Sequence, residues 1–121
     1  CHVEPDFLFA YRCGAGDPSK GDPPNGCHYT GSAVSGMVLI AHPPVDCGGG
    51  NAPIDPSTIG KDAPIDLQAA SLEMTRDYTS APIFVRPSSN NGVPPTGHPR
   101  AVFDQSDPKA WEILSTWAAI P

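Results

Sequence analysis

Sixteen prolines and twelve glycines punctuate this chain of 121 residues, nearly one position in four. Proline removes a backbone donor and fixes φ, and glycine weakens any helix or strand it interrupts. Long regular elements are therefore excluded, and much of the length must go into loops. Apolar residues make up 39% of the chain, so the core should be small and a staple is expected: disulfides, a metal or a large cofactor. Four cysteines and four histidines are the available material.

Three segments carry helix signals. The first is about Pro5 to Arg12, with proline in the first turn and Phe7, Leu8 and Tyr11 on one side. The second runs roughly from Leu67 to Arg76, with Asp66 as its N-cap. In the third, Asp107 caps, Pro108 takes the first helical position, and Trp111, Leu114, Trp117 and Ala118 form a stripe. Between them, Gly14 to Gly26 holds Asp17-Pro18, Asp22-Pro23-Pro24 and Asn25-Gly26, all turn signals. Met37 to Ala41 reads equally as a short buried strand or a helical turn, and Ile83-Phe84-Val85 as a short extended piece. Gly48 to Gly50 and Pro87 to Pro99 read as irregular. No internal repeat and no domain boundary stands out, so the chain is expected to form one domain over residues 1–121.

The net charge of −6, with no Lys/Arg cluster, argues against a nucleic-acid partner. No apolar run reaches the eighteen or more residues of a membrane span. Four cysteines in a small acidic chain suit an oxidising, exported setting, periplasmic or extracellular. A mature N-terminal Cys1 would suit a lipid anchor; a chain cut from a longer one would begin there equally well.

Chemistry concentrates at Cys13 and Cys27-His28. In the c-type haem attachment motif C-x-x-C-H, two thiols become thioethers and the adjacent histidine ligates iron. Here thirteen residues, Gly14 to Gly26, stand between the thiols instead of two. Two readings stay open: an expanded haem motif, or a Cys13–Cys27 disulfide, whose loop closure would contribute about 3 kcal/mol. A Cys1–Cys47 bridge is the companion pairing, although four cysteines allow three connectivities. Cys1-His2 repeats the Cys-His pair with nothing upstream, and His42, between Ala41 and Pro43, reads as a turn or packing histidine. The acidic residues are scattered singly, as on a solvated surface. Paired zinc spacing, a blue-copper cluster, a P-loop, G-x-S-x-G and G-x-G-x-x-G are all absent from the sequence, and no constellation for an enzyme stands out.

The opening Val3-Glu4-Pro5 … Tyr11-Arg12-Cys13 … Cys27-His28 resembles that of bacterial cytochrome-c-like domains. The stretch Ser80-Ala81-Pro82-Ile83-Phe84-Val85-Arg86-Pro87 and the tail Gly97-His98-Pro99-Arg100 … Asp107-Pro108 … Trp111 … Trp117 are similar to the same class. The resemblance implies a mainly α, small cytochrome-c-like domain with about three helices joined by long Pro/Gly-rich loops. It implies haem c on Cys13 and Cys27, His28 as proximal ligand and His98 as distal ligand, with Met74 the other candidate. Electron transfer to a redox partner protein or within a larger membrane-associated complex would follow. The alternative is a haem-free, disulfide-stapled structural or binding subunit of the same fold.

Overall fold

Proline in the first turn starts a helix at the N-terminus, but its winding is wider than that of an α-helix. The computed structural model describes residues 2–29, 37–43, 45–46, 57 and 59–120. The π-wound segment Val3–Phe9 buries Val3, Glu4, Phe7 and Leu8, and Phe7 meets Tyr11 edge to face at 5.2 Å. Turns carry the chain on to Arg12, whose φ of 55° is left-handed. The chain forms two compact units, Cys1–Ala69 and Ala70–Pro121.

In the first unit, Met37 and Leu39 are buried while Val38 between them is exposed. That alternation belongs to extended backbone. Leu39 N–H donates to His28 O at 2.7 Å, and Tyr29 and Leu39 form a single parallel bridge. Met37 to Ala41 is thus extended rather than a helical turn.

Helix α1 spans Asp62–Ser71, about five residues earlier than the apolar pattern suggested. Pro64 sits in its first turn, where a missing N–H costs nothing. Asp66 is not its cap. It lies inside the helix on a buried line with Ala63 and Ala70, while Ile65 and Leu67 on the helix, and Leu72 just past its end, are exposed. Two small residues and a carboxylate make up the inner face, so apolar periodicity selects the wrong side. The chain leaves the helix through tightening bonds from Glu73 N–H to Ala70 O and Met74 N–H to Ser71 O. Met74 therefore lies beyond the helix and not within it.

The second unit packs around Ala81, Ile83, Phe84, Phe103, Ala110 and Leu114, all buried. Ile83-Phe84-Val85 is helical, not extended: α2 covers Pro82–Val85. Ala81 is extended at its cap and Pro82 supplies a preset helical φ at the first position. Phe84 lies 5.6 Å from the Tyr78 ring and 5.9 Å from Phe103. Within the stretch expected to be irregular, β1 (Ser88–Ser89) pairs in parallel with β2 (Phe103–Asp104), Ser88 opposite Phe103. Asp104 ties this corner together. Its carboxylate accepts from Ser89 Oγ at 2.7 Å, Ser106 N–H at 3.0 Å and Ser106 Oγ at 2.7 Å. These bonds hold its pKa far below the usual carboxylate range, Ser106 contributing most.

Helix α3, Pro108–Ala118, starts where Asp107 and Pro108 indicate, with Asp107 Oδ1 accepting Lys109 N–H at 3.0 Å. Its inner line runs through Ala110 and Leu114, both fully buried, whereas Trp111 is 42% exposed. The expected stripe is rotated, because Ala110 permits close approach and the bulky indole moves to the edge. The described fold is mainly helical with one two-stranded parallel sheet, and no described helix is long and apolar enough to cross a membrane. Cys1, Cys47 and Gly48 to Gly50 lie outside the described residues.

Candidate functional site

Cys13 is held by the way the first helix ends. Arg12 in the left-handed region lets its own N–H reach Phe9 O and lets Cys13 N–H reach Leu8 O, both at 2.9 Å. This pair of bonds is the usual left-handed helix terminus, with arginine where glycine is customary. The first thiol therefore sits at a defined point, one residue past the turn.

The thirteen intervening residues then fold back on themselves. Asp17 Oδ1 accepts Ser19 N–H at 3.1 Å and Ser19 Oγ at 2.6 Å, and the Ser19 bonds lower its pKa. Asp22, buried, takes Asp17 N–H at 2.7 Å. Gly26 N–H closes a turn onto Pro23 O at 3.0 Å. The result is a closure at the base: Gly14 O accepts Cys27 N–H at 2.7 Å and His28 N–H at 3.3 Å. The residue after the first thiol is thus hydrogen-bonded to the second thiol's residue and to the histidine. Backbone bonds thus tie the residue next to Cys13 to Cys27 and His28 across the thirteen-residue loop.

Three glycines are required by this closure, and a Cβ on Gly26, whose φ is 92°, would stand 2.6 Å from Gly14 O itself. A Cβ on Gly16, whose φ is 68°, would stand 2.9 Å from Cys27 Sγ, and a Cβ on Gly14 would fall 2.1 Å from the Tyr29 ring. The Cys27 sulfur and the Tyr29 ring occupy the space that side chains there would need. Cys13 and Cys27 are both half-buried and are not joined in a disulfide.

His28 is fixed from the other side. Its Nδ1 lies 3.0 Å from Met37 O. A carbonyl only accepts, so Nδ1 carries a hydrogen, which fixes the orientation of the ring. His98, in the second unit, has the same arrangement, with Nδ1 2.6 Å from Arg100 O. Among the described residues no group of three or more His, Cys, Asp or Glu side chains is arranged to hold a metal ion by itself. A porphyrin brings four nitrogens of its own, so iron held there asks only one or two ligands of the protein. Of the sequence-predicted residues, the backbone closure at Gly14 O brings Cys13, Cys27 and His28 into one loop, and His98 lies in the second unit.

Sequence reasoning missed a second cluster in the first unit. Glu4 and Asp66 are buried, not solvated, and His42 lies between them, with Nε2 3.4 Å from Glu4 Oε1 and 3.3 Å from Asp66 Oδ2. Burial pushes the Asp66 pKa up, opposed by the Ile40 N–H bond and by His42. The Tyr29 phenol is raised too, first by burial and then by the negative charge of Asp66 and Glu4. No local pattern connects residues 4, 42 and 66; the one available signal is the carboxylate on α1's small-residue line.

No family model matches the chain, and neither the curated proteins nor the solved structures hold a match to it.

Proposed function

We propose that this chain is a small exported electron-transfer domain carrying one covalently bound haem, attached through Cys13 and Cys27 with His28 on the iron. The observation that supports this reading most is the double hydrogen bond at Gly14 O, which gathers Cys13, Cys27 and His28 despite the long gap. Each thiol would add across a vinyl group, sulfur to one carbon and hydrogen to the other, with no atom lost. The bound haem would supply a one-electron iron couple. The protein's part is to position the thiols, to orient the His28 ring through Met37 O and to limit water with Phe7, Leu8 and Leu39. His98 is the proposed second ligand, its ring oriented by Arg100 O, in preference to Met74. Two imidazoles would leave no open position for a substrate, so the proposal is electron transfer rather than catalysis. The charge of −6 would steer the domain toward basic patches on a redox partner, with rates that fall as salt rises.

The test is expression alongside a c-type haem maturation system. A Soret band and a mass increase that survives denaturation are expected, both lost in Cys13→Ala/Cys27→Ala. His98→Ala should open the iron to carbon monoxide or cyanide; an unchanged spectrum with neither ligand bound would remove His98 from the assignment. A colourless product with Cys13 and Cys27 bridged in peptide mapping would overturn the haem reading and leave a disulfide-stapled scaffold.

A further inference from the structure

In the first unit three hydrogen-bond acceptors converge with no donor between them. His42 Nδ1 lies 2.7 Å from Pro43 O, so this nitrogen carries a hydrogen. The opposite nitrogen, Nε2, is buried and lies off the line of a hydrogen bond to either neighbouring carboxylate. The side chains of His42, Glu4 and Asp66 are only 10%, 10% and 6% exposed. The remaining carboxylate oxygens are engaged: Glu4 Oε2 accepts Val45 N–H at 3.2 Å and Asp66 Oδ1 accepts Ile40 N–H at 2.7 Å. With Nε2 bare and both carboxylates ionised, lone pairs would face one another out of water, an arrangement burial penalises heavily.

We infer that Glu4, His42 and Asp66 share one buried proton, and that this proton fastens the N-terminal helix, the 37–46 segment and α1 in a pH-sensitive joint. The titratable groups facing it are Tyr29 from the strand-like bridge and Asp62 from α1, while Arg12 acts on Tyr29. The negative charge of the two carboxylates, and of Asp62 nearby, favours keeping the proton. The raised pKa of Asp66 agrees in direction. The joint opens onto a recess also lined by Gly14 and Tyr29, so its loosening would be felt at the base of the thiol loop.

The sign follows from linkage. The unfolded chain loses its imidazole proton near about 6.5 and its carboxyl protons near about 4. A folded cluster that keeps one proton above that range binds more protons than the unfolded chain. Its stabilisation is complete below the unfolded value and lost as pH rises through the folded one. Unfolding near neutral pH then releases about one proton, and the unfolding equilibrium constant rises by up to about tenfold per pH unit.

Urea unfolding of the full chain across the weakly acidic to weakly alkaline range tests this, whether or not haem is bound. The wild type should show that rise, and Glu4→Gln/Asp66→Asn a clearly flatter one, since amides cannot share the proton. Equal slopes would overturn the inference. Nitrogen-15 NMR of the wild type needs no variant to fold. A protonated or strongly hydrogen-bonded His42 Nε2 at neutral pH supports the joint, and a bare lone-pair signal there refutes it.

Discussion

The two units each bury a small apolar core, Val3, Phe7, Leu8, Met37 and Leu39 in the first, and differ in what else they bury. The second unit fills its interior with hydrocarbon and rings, Ile83, Phe84, Phe103, Ala110 and Leu114, and leaves its best-bonded carboxylate, Asp104, at the edge. The first unit buries Glu4, Asp22 and Asp66, and relies on glycine contacts and a backbone closure to hold two half-buried cysteines. Burying ionisable groups costs stability unless each is paired, so it persists where those groups have work to do. The difference divides the molecule into a unit that is packed and a unit that is arranged.

The largest effect should come from the packed unit. Phe84→Ala removes a buried ring that contacts both Tyr78 and Phe103. A loss of about 3–5 kcal/mol is expected from such a truncation, read from urea unfolding. Hydrogen exchange sharpens the comparison. Protection should fall in α2, β2 and α3 first, while Cys27 N–H and His28 N–H keep theirs. Equal loss at those two amides would mean that the units do not differ in what holds them.

Legibility in the sequence divides along similar lines. The start of α3 is readable because a cap is local: Asp107 needs only the N–H of Lys109, two residues on, and Pro108 excludes alternatives. The first helix is readable from Pro5 in its first turn and from Phe7 and Leu8, although it starts at Val3 with no side-chain cap and winds as a π-helix. Placement of α1 failed because its inner face is Ala63, Asp66 and Ala70, which no apolar pattern marks, and the α3 stripe was rotated by the small Ala110. At the candidate site, the adjacency of Cys27 and His28 gave the residues, but not the means of gathering them. The bond from Cys27 N–H to Gly14 O spans the whole loop, and turn signals at Asp17 and Asn25 do not say where a loop closes. The Glu4–His42–Asp66 cluster joins three distant segments through side chains, beyond the reach of any periodicity.

Gly14→Ala probes the arranged unit. The added methyl would fall 2.1 Å from Tyr29 Cε1, so the ring must move. Overpacking of this kind costs about 1–3 kcal/mol. Unlike a cavity, it should be relieved by a second change, and Gly14→Ala/Tyr29→Leu should recover part of the loss in thermal unfolding. The single variant should also lower the yield of attached haem, because Tyr29 adjoins His28 and Gly14 O holds both amides. Full stability with full attachment would show that the closure tolerates slack, and would weaken the contrast between the units.

The smallest effect should carry the opposite sign. Arg12 occupies the left-handed region at φ 55°, where a residue with a Cβ is strained and glycine is not. Arg12→Gly keeps the two bonds to Phe9 O and Leu8 O and relieves that strain, while adding freedom to the unfolded chain. A net gain of about 0.5–1 kcal/mol is expected, seen as a small rise in melting temperature. Arg12→Asn should fall between, since asparagine tolerates this conformation better than arginine. The guanidinium also lowers the Asp17 and Tyr29 pKa values slightly, so the glycine variant removes a weak attraction along with the strain. If the glycine variant proved less stable than wild type and the asparagine variant less stable still, the charge would outweigh the backbone. The start of the thiol loop would then be set by electrostatics rather than by the geometry of the turn.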